Sequence, residues 1–241
     1  MKVLAIALLC AFASVQGRST SRATNIADGT PAALGENPSV VHLRVARNGD
    51  TRLASCGAVL VSDTYILTTK TCLENVEPTF IWMRFGLVEV ARPDLVLEVG
   101  SGAIYRHPDP SVDLALVRIY RVVELTDNIQ IASMEENLGS DGRACGFGAS
   151  ESDPEVAGET LKCVEIEDMV AVGETINAPV VLTKFDLGQP LFSVDGELAG
   201  VLIDPTQGVY IRPNFYLDWI NEVINPGGNP DPVSEVLVAN P

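Results

Sequence analysis

Between residues 26 and 212 the chain is built from short apolar runs broken by turn residues. The runs at 40–45 (VVHLRV), 58–61 (AVLV), 80–85 (FIWMRF), 114–119 (LALVRI), 161–166 (LKCVEI) and 198–203 (LAGVLI) are rich in Val, Ile and Leu, and Gly, Pro, Asp and Asn fill the gaps. β-Branched side chains pack well on a pleated surface, and short runs at this spacing predict an all-β sandwich or barrel rather than alternating strand–helix units. One segment breaks the pattern. Residues 215–224 (FYLDWINEVI) place Phe215, Trp219, Ile220, Val223 and Ile224 at helical spacing. Asn214 is the expected cap, and Pro226-Gly227-Gly228 ends the helix.

The two ends of the chain read differently. Residues 1–17 (MKVLAIALLCAFASVQG) carry Lys2, then an apolar stretch from Val3 to Ala13 too short to span a bilayer, then Val15 and Gly17 at small-residue cleavage positions. They predict a signal peptide. Residues 18–25 (RSTSRATN) are polar and read as a short pro-segment, and 226–241 as a Pro/Gly-rich tail. No later apolar run is long enough for a membrane span, so the expected product is secreted, extracellular and soluble.

Charge narrows the function. The 241 residues hold 16 Lys+Arg against 32 Asp+Glu, a formal net charge of −16. The acidic balance argues against coating a nucleic acid, which needs clustered cations, and against docking on anionic lipid. Losing the leader removes Lys2 and Cys10, which leaves 15 basic against 32 acidic residues, a net charge of −17, and four cysteines. An even count in an oxidising compartment predicts two disulfides, and by count alone three connectivities remain open. Two histidines, His42 and His107, give no zinc spacing, and no cofactor or metal is expected. His42 reads as a strand-face residue, Lys70 as solvated or salt-bridged, and the acidic stretch 151–159 as a solvated loop, with a weak calcium site the lesser reading.

Four ordered segments carry a resemblance. They are IADGTPAALGENPSVVHLR from Ile26, SCGAVLVSDTYILTTKTC from Ser55 to Cys72, HPDPSVDLALVRI from His107, and FDLGQPLFSVDGELAGVL from Phe185 to Leu202. With RACGFG at 143–148, GVYIR at 208–212 and YLDWI near the end, they resemble the chymotrypsin/trypsin-like serine protease family over roughly residues 26–225. The resemblance implies two packed six-stranded antiparallel β-barrels with a cleft between them and a C-terminal α-helix.

The catalytic positions depart from the family. Thr71 of TTKTC stands where the family has its histidine, and Leu187 of FDLGQPL where it has its serine. Asp113 alone matches. Leucine has no nucleophilic atom and threonine cannot take a proton at neutral pH. Nucleophile and base act as a unit, so losing one costs about 10⁶ in kcat, roughly 8 kcal/mol. The supporting parts change too. Phe185 and Gln189 replace glycines of the oxyanion loop, beside Asp186 and Gly188. Val181 falls at the base of the specificity pocket. Only Asp204-Pro205-Thr206-Gln207 remain of a longer wall, and Thr183 replaces the cysteine that would close it. Family members are cut before an isoleucine whose new terminus pairs with the aspartate preceding the nucleophile. Ile26 and Asp186 are the equivalents here. But Asn25 precedes Ile26 and the nearest upstream basic residue is Arg22, so no standard activation switch is expected. Asp186 then needs another partner or a solvated site.

The resemblance also orders the cysteines as Cys56–Cys72, around the histidine turn, and Cys145–Cys163, on a hairpin. It implies a secreted, non-catalytic protease homolog acting by binding, as a cofactor or decoy in a protease pathway or in gut, venom or reproductive fluid. Its partner would be a basic protein drawn by the acidic surface. The competing reading is a residual endopeptidase or esterase using other side chains.

Overall fold

The structure is a computed structural model that describes residues 24–47, 51–73 and 78–227. The expected signal peptide, most of the pro-segment and the tail after Gly227 lie outside the described residues.

Two curled antiparallel sheets make up the molecule. The first runs in the order Leu95–Gly100, Pro78–Phe85, Val40–Arg47, Ala54–Ser62, Tyr65–Thr68, Ala115–Arg118, Ile104–Arg106. The second runs Val170–Val172, Thr175–Asn177, Val209–Ile211, Leu198–Asp204, Pro190–Ser193, Gly142–Gly146, Lys162–Ile166, Thr30–Pro31. Each counts more than six strands because segments of two or three residues pair along its edges. All six apolar runs read from the sequence fall on strands.

Alternation places the cores. In Pro78–Phe85 the side chains of Ile81, Met83 and Phe85 are buried while Phe80 is exposed. They meet Val41, Leu43, Val45, Leu97 and Val99 inside the first sheet. Inside the second, Ile26, Ala144, Val164, Ile176, Leu191, Leu202 and Tyr210 pack together. A third cluster joins the halves. Val59, Leu67, Leu114 and Leu116 of the first meet Leu198, Val201 and Ile211 of the second, with Tyr216 and Ile220 beside them.

The helix is Leu217–Ile224, entered through a 3₁₀ turn over Pro213–Tyr216. Asn214 is not its cap. It sits inside the turn, and its buried Oδ1 has no hydrogen-bond partner among the protein atoms. Pro213 sets the turn instead, because its fixed φ suits a first helical turn and it has no N–H to leave unpaired. The Tyr216 hydroxyl then anchors the turn by donating to Glu174 Oε2 at 2.7 Å.

Both expected cysteine pairs are bonded. Cys56–Cys72 closes a 16-residue separation around the helical turn Lys70–Leu73. Such a loop contributes roughly 3 kcal/mol in the chain-entropy account. Cys145 and Cys163 are register partners on adjacent strands, with Cα atoms 4.1 Å apart.

Candidate functional site

The cleft that the resemblance implies would lie where a loop of the second sheet meets a strand of the first. The Gly57 amide donates to the Leu187 carbonyl at 2.7 Å. The Thr68 hydroxyl donates to the Gly57 carbonyl, also at 2.7 Å. Gly188, at φ +79°, lies directly over this junction, and a Cβ there would collide with the Gly57 carbonyl and the Thr68 hydroxyl. No other residue meets both demands, positive φ and no side chain.

Thr71 and Asp113 come together. Thr71 lies exposed in Lys70–Leu73, and its backbone amide donates to Asp113 Oδ1 at 2.8 Å. Leu187 is half-buried at the end of a 3₁₀ turn over Lys184–Asp186, tied to the first sheet through Gly57. No imidazole is available to bridge the two sides. His42 is wholly buried in Val40–Arg47, with Nε2 3.0 Å from Ser55 Oγ and its ring edge-on to Phe147. His107 is half-buried against Tyr216 and Trp219, and its Nδ1 accepts the Asp109 amide at 3.2 Å. Burial above all, with the charges of Arg44 and Arg84, lowers the His42 pKa to about 3, so that imidazole is neutral.

Thr183 organises the loop beneath Leu187. Its amide and hydroxyl both donate to Asp186 Oδ2, at 2.9 and 2.8 Å, and its hydroxyl oxygen accepts the Phe185 amide at 3.3 Å. This is a capping box on a three-residue 3₁₀ turn. Further along, the Asp186 amide donates to the Thr183 carbonyl, the Gly188 amide to the Leu202 carbonyl and the Gln189 amide to the Asp186 carbonyl, at 2.9–3.0 Å. The amides of Phe185, Asp186, Gly188 and Gln189 are thus all committed to protein oxygens. Thr183-Lys184-Phe185-Asp186 carries the spacing of a capping box in its sequence.

Asp186 is fully buried yet not unpaired. Besides the two Thr183 bonds, its Oδ1 accepts the Gly148 amide at 2.7 Å. Burial pushes its pKa up, and these hydrogen bonds pull against that shift. Ile26, 1% exposed, belongs to the core of the second sheet. The residues just before it, Thr24–Asn25, pair in parallel with Val180–Val181. Val181, at the pocket-base position, is therefore part of that two-strand pair and is exposed. Asp204 turns back on its own loop, its Oδ1 accepting the amides of Thr206 and Gln207.

Gln189 fills the space beneath the loop. It is 1% exposed, its side chain lies against Gly57, and neither atom of its amide has a hydrogen-bond partner in the protein. Lys70 departs from expectation. It is buried rather than solvated or salt-bridged, and its Nζ donates to the carbonyls of Asp109 and Pro110 at 2.9 and 3.3 Å. Two carbonyl dipoles of the loop at Asp109 and Pro110 take two of the three ammonium donors. Glu151 pairs with Lys162 and Glu155 with Lys184 at the surface, and among the described residues no group of three or more His, Cys, Asp or Glu side chains is placed to hold a metal ion.

Two curled antiparallel sheets joined at the Gly57–Leu187 junction, with a short C-terminal helix, define a chymotrypsin-like domain. The sequence model of the trypsin family matches residues 26–220, and the chain belongs to that family. It is 26% identical to human kallikrein-9 over 91% of this chain and 98% of that protein. It is 23% identical to phenoloxidase-activating factor 3 of Holotrichia diomphalia, over 80% of this chain and 71% of that one. Among solved structures, HL collagenase shares the fold with a TM-score of 0.68 and 22% identity, across 82% of this chain and 97% of that one.

Proposed function

We propose that this protein is a secreted, non-catalytic member of the trypsin family that acts by binding another protein. The observation that carries the reading is the state of the cleft. Asp113 holds a backbone amide of Thr71, Leu187 offers no nucleophile, and the Phe185 amide is already bonded inward to the Thr183 hydroxyl. An oxyanion hole requires amides aimed at the developing charge, and each such donor contributes about 10²–10³ in kcat. Base, nucleophile and one oxyanion donor fail together. The acidic surface favours a basic partner and salt-sensitive association. Likeness to a relative named as an activating factor supports a cofactor role in a protease pathway.

The test uses the purified full chain. It should neither hydrolyse activated esters or casein nor react covalently with a fluorophosphonate. Stoichiometric labelling, or turnover abolished by Asp113→Ala, would establish a residual hydrolase and end this reading.

A further inference from the structure

A second surface, sharing no residue with the cleft, carries its own chemistry. Between the Ala115–Arg118 strand with its following loop and the C-terminal helix lies a groove of about 720 Å³. Its walls include Tyr65, Tyr105, Arg118, Tyr120, Arg121 and Trp219. Tyr120 is 64% exposed and Val122 65% exposed, a large apolar area to leave in water. Tyr65 and Tyr105 meet edge to face with ring centres 6.0 Å apart, so that wall is braced. The Arg118 guanidinium lies 5.5 Å from the Tyr120 ring centre.

The charge of this groove runs against that of the molecule. Two guanidiniums and one carboxylate, Glu222, line it, in a chain of net charge −16. Neither Arg118 nor Arg121 enters an ion pair among the described residues. Tyr, Trp and Arg are the residue types that concentrate binding energy at protein interfaces, because they bury area while keeping a polar tip. A guanidinium stacked on a ring also presents its edge to a carboxylate in a fixed plane.

We propose that this groove docks an acidic, aliphatic peptide segment of a partner protein. Carboxylates of the segment pair with Arg118 and Arg121, and its Leu- or Val-type side chains lie against Tyr105, Tyr120 and Trp219. A second copy of this chain is the poorer occupant, since two bodies of net charge −16 repel. The inference does not depend on whether the cleft turns over substrate.

The probe is a fluorescein-labelled hexapeptide alternating Glu and Leu, titrated against the full chain by anisotropy, with a Lys/Leu hexapeptide as comparison. The Glu/Leu peptide should bind saturably at low ionic strength and weaken as salt shortens the screening length to about 8 Å. Arg118→Glu with Arg121→Glu should weaken it at least about tenfold, Arg118→Lys with Arg121→Lys less, and Arg92→Glu, in an ion pair elsewhere, not at all. Tyr120→Ala, at an exposed position that leaves the fold intact, should weaken it independently of salt. Equal binding of the Lys/Leu peptide, indifference to the charge reversals, or no binding at about 1 mM, where only some 4 kcal/mol would be needed, overturns the proposal. So does binding that appears only after Asp231→Asn and Glu235→Gln, which would make the chain's own segment the occupant.

Discussion

His42 should make the protein acid-sensitive in a window where carboxylates are ordinarily silent. Its ordinary pKa of 6.5 falls to about 3 in the fold, chiefly through burial and then through Arg44 and Arg84. The unfolded chain therefore takes a proton at pH values where the folded chain does not. The stability contributed by the neutral imidazole is fully present above pH 6.5 and is lost as pH falls toward 3. Each pH unit corresponds to about 1.4 kcal/mol, so going from pH 6.5 to pH 5 removes about 2 kcal/mol, and the whole shift amounts to about 5 kcal/mol. For a domain of this size, 2 kcal/mol lowers Tm by about 4–8 °C. Urea unfolding at several pH values between about 5 and 7 reads the effect directly. His42→Gln removes the titration and can keep a hydrogen bond to Ser55. The difference between wild type and His42→Gln should narrow by about 2 kcal/mol across that window as pH falls. Parallel curves for wild type and His42→Gln would refute the reasoning, because they would mean that the imidazole is hydrated or charged in the fold.

Asp186 should act in the opposite sense. Its pKa is raised by burial, so the contribution of its protonated form is present below its ordinary 3.8 and is lost as pH rises through the raised value. Wild type should therefore lose stability relative to Asp186→Asn with rising pH, and a flat difference in urea midpoints would contradict this. Gln189→Met removes a buried amide without protein partners while keeping most of its volume. It should stabilise by about 1–3 kcal/mol, and a loss of stability would show that the amide is satisfied. Returning Thr71→His and Leu187→Ser alone should yield at most trace ester hydrolysis, about 10²-fold or more below an enzyme with a free oxyanion hole. Turnover at a rate typical of the family would show that the Phe185 amide is free.

The strand plan was legible because it rests on runs of four to six apolar residues, each long enough to show its burial. Thr30–Pro31, Val170–Val172 and Thr175–Asn177 were not, since two or three residues carry no period and pair only because a neighbouring strand offers its edge. The helix core was read correctly and its start was not. Asn214 has the right chemistry for a cap, but Pro213 and the Tyr216–Glu174 bond decide the entry. At the cleft, residue identities alone marked the departures at Thr71, Leu187 and Phe185. The partners of Asp186 were hidden for a different reason. Gly148 reaches it from 38 residues away in the chain, beyond any local spacing. Lys70 could not be read at all from composition, because its acceptors are backbone carbonyls, which every sequence possesses.

The capping box of Thr183 on Asp186 has a consequence for how the molecule records its past. Both carboxylate oxygens of Asp186, under Leu187, find their donors at Thr183 or Gly148, and neither waits for a chain end made by cutting. The buried carboxylate is thus met inside the folded chain, and the loop takes its shape when the chain folds. Molecules that have met a protease and molecules that have not should present the same cleft to whatever binds there.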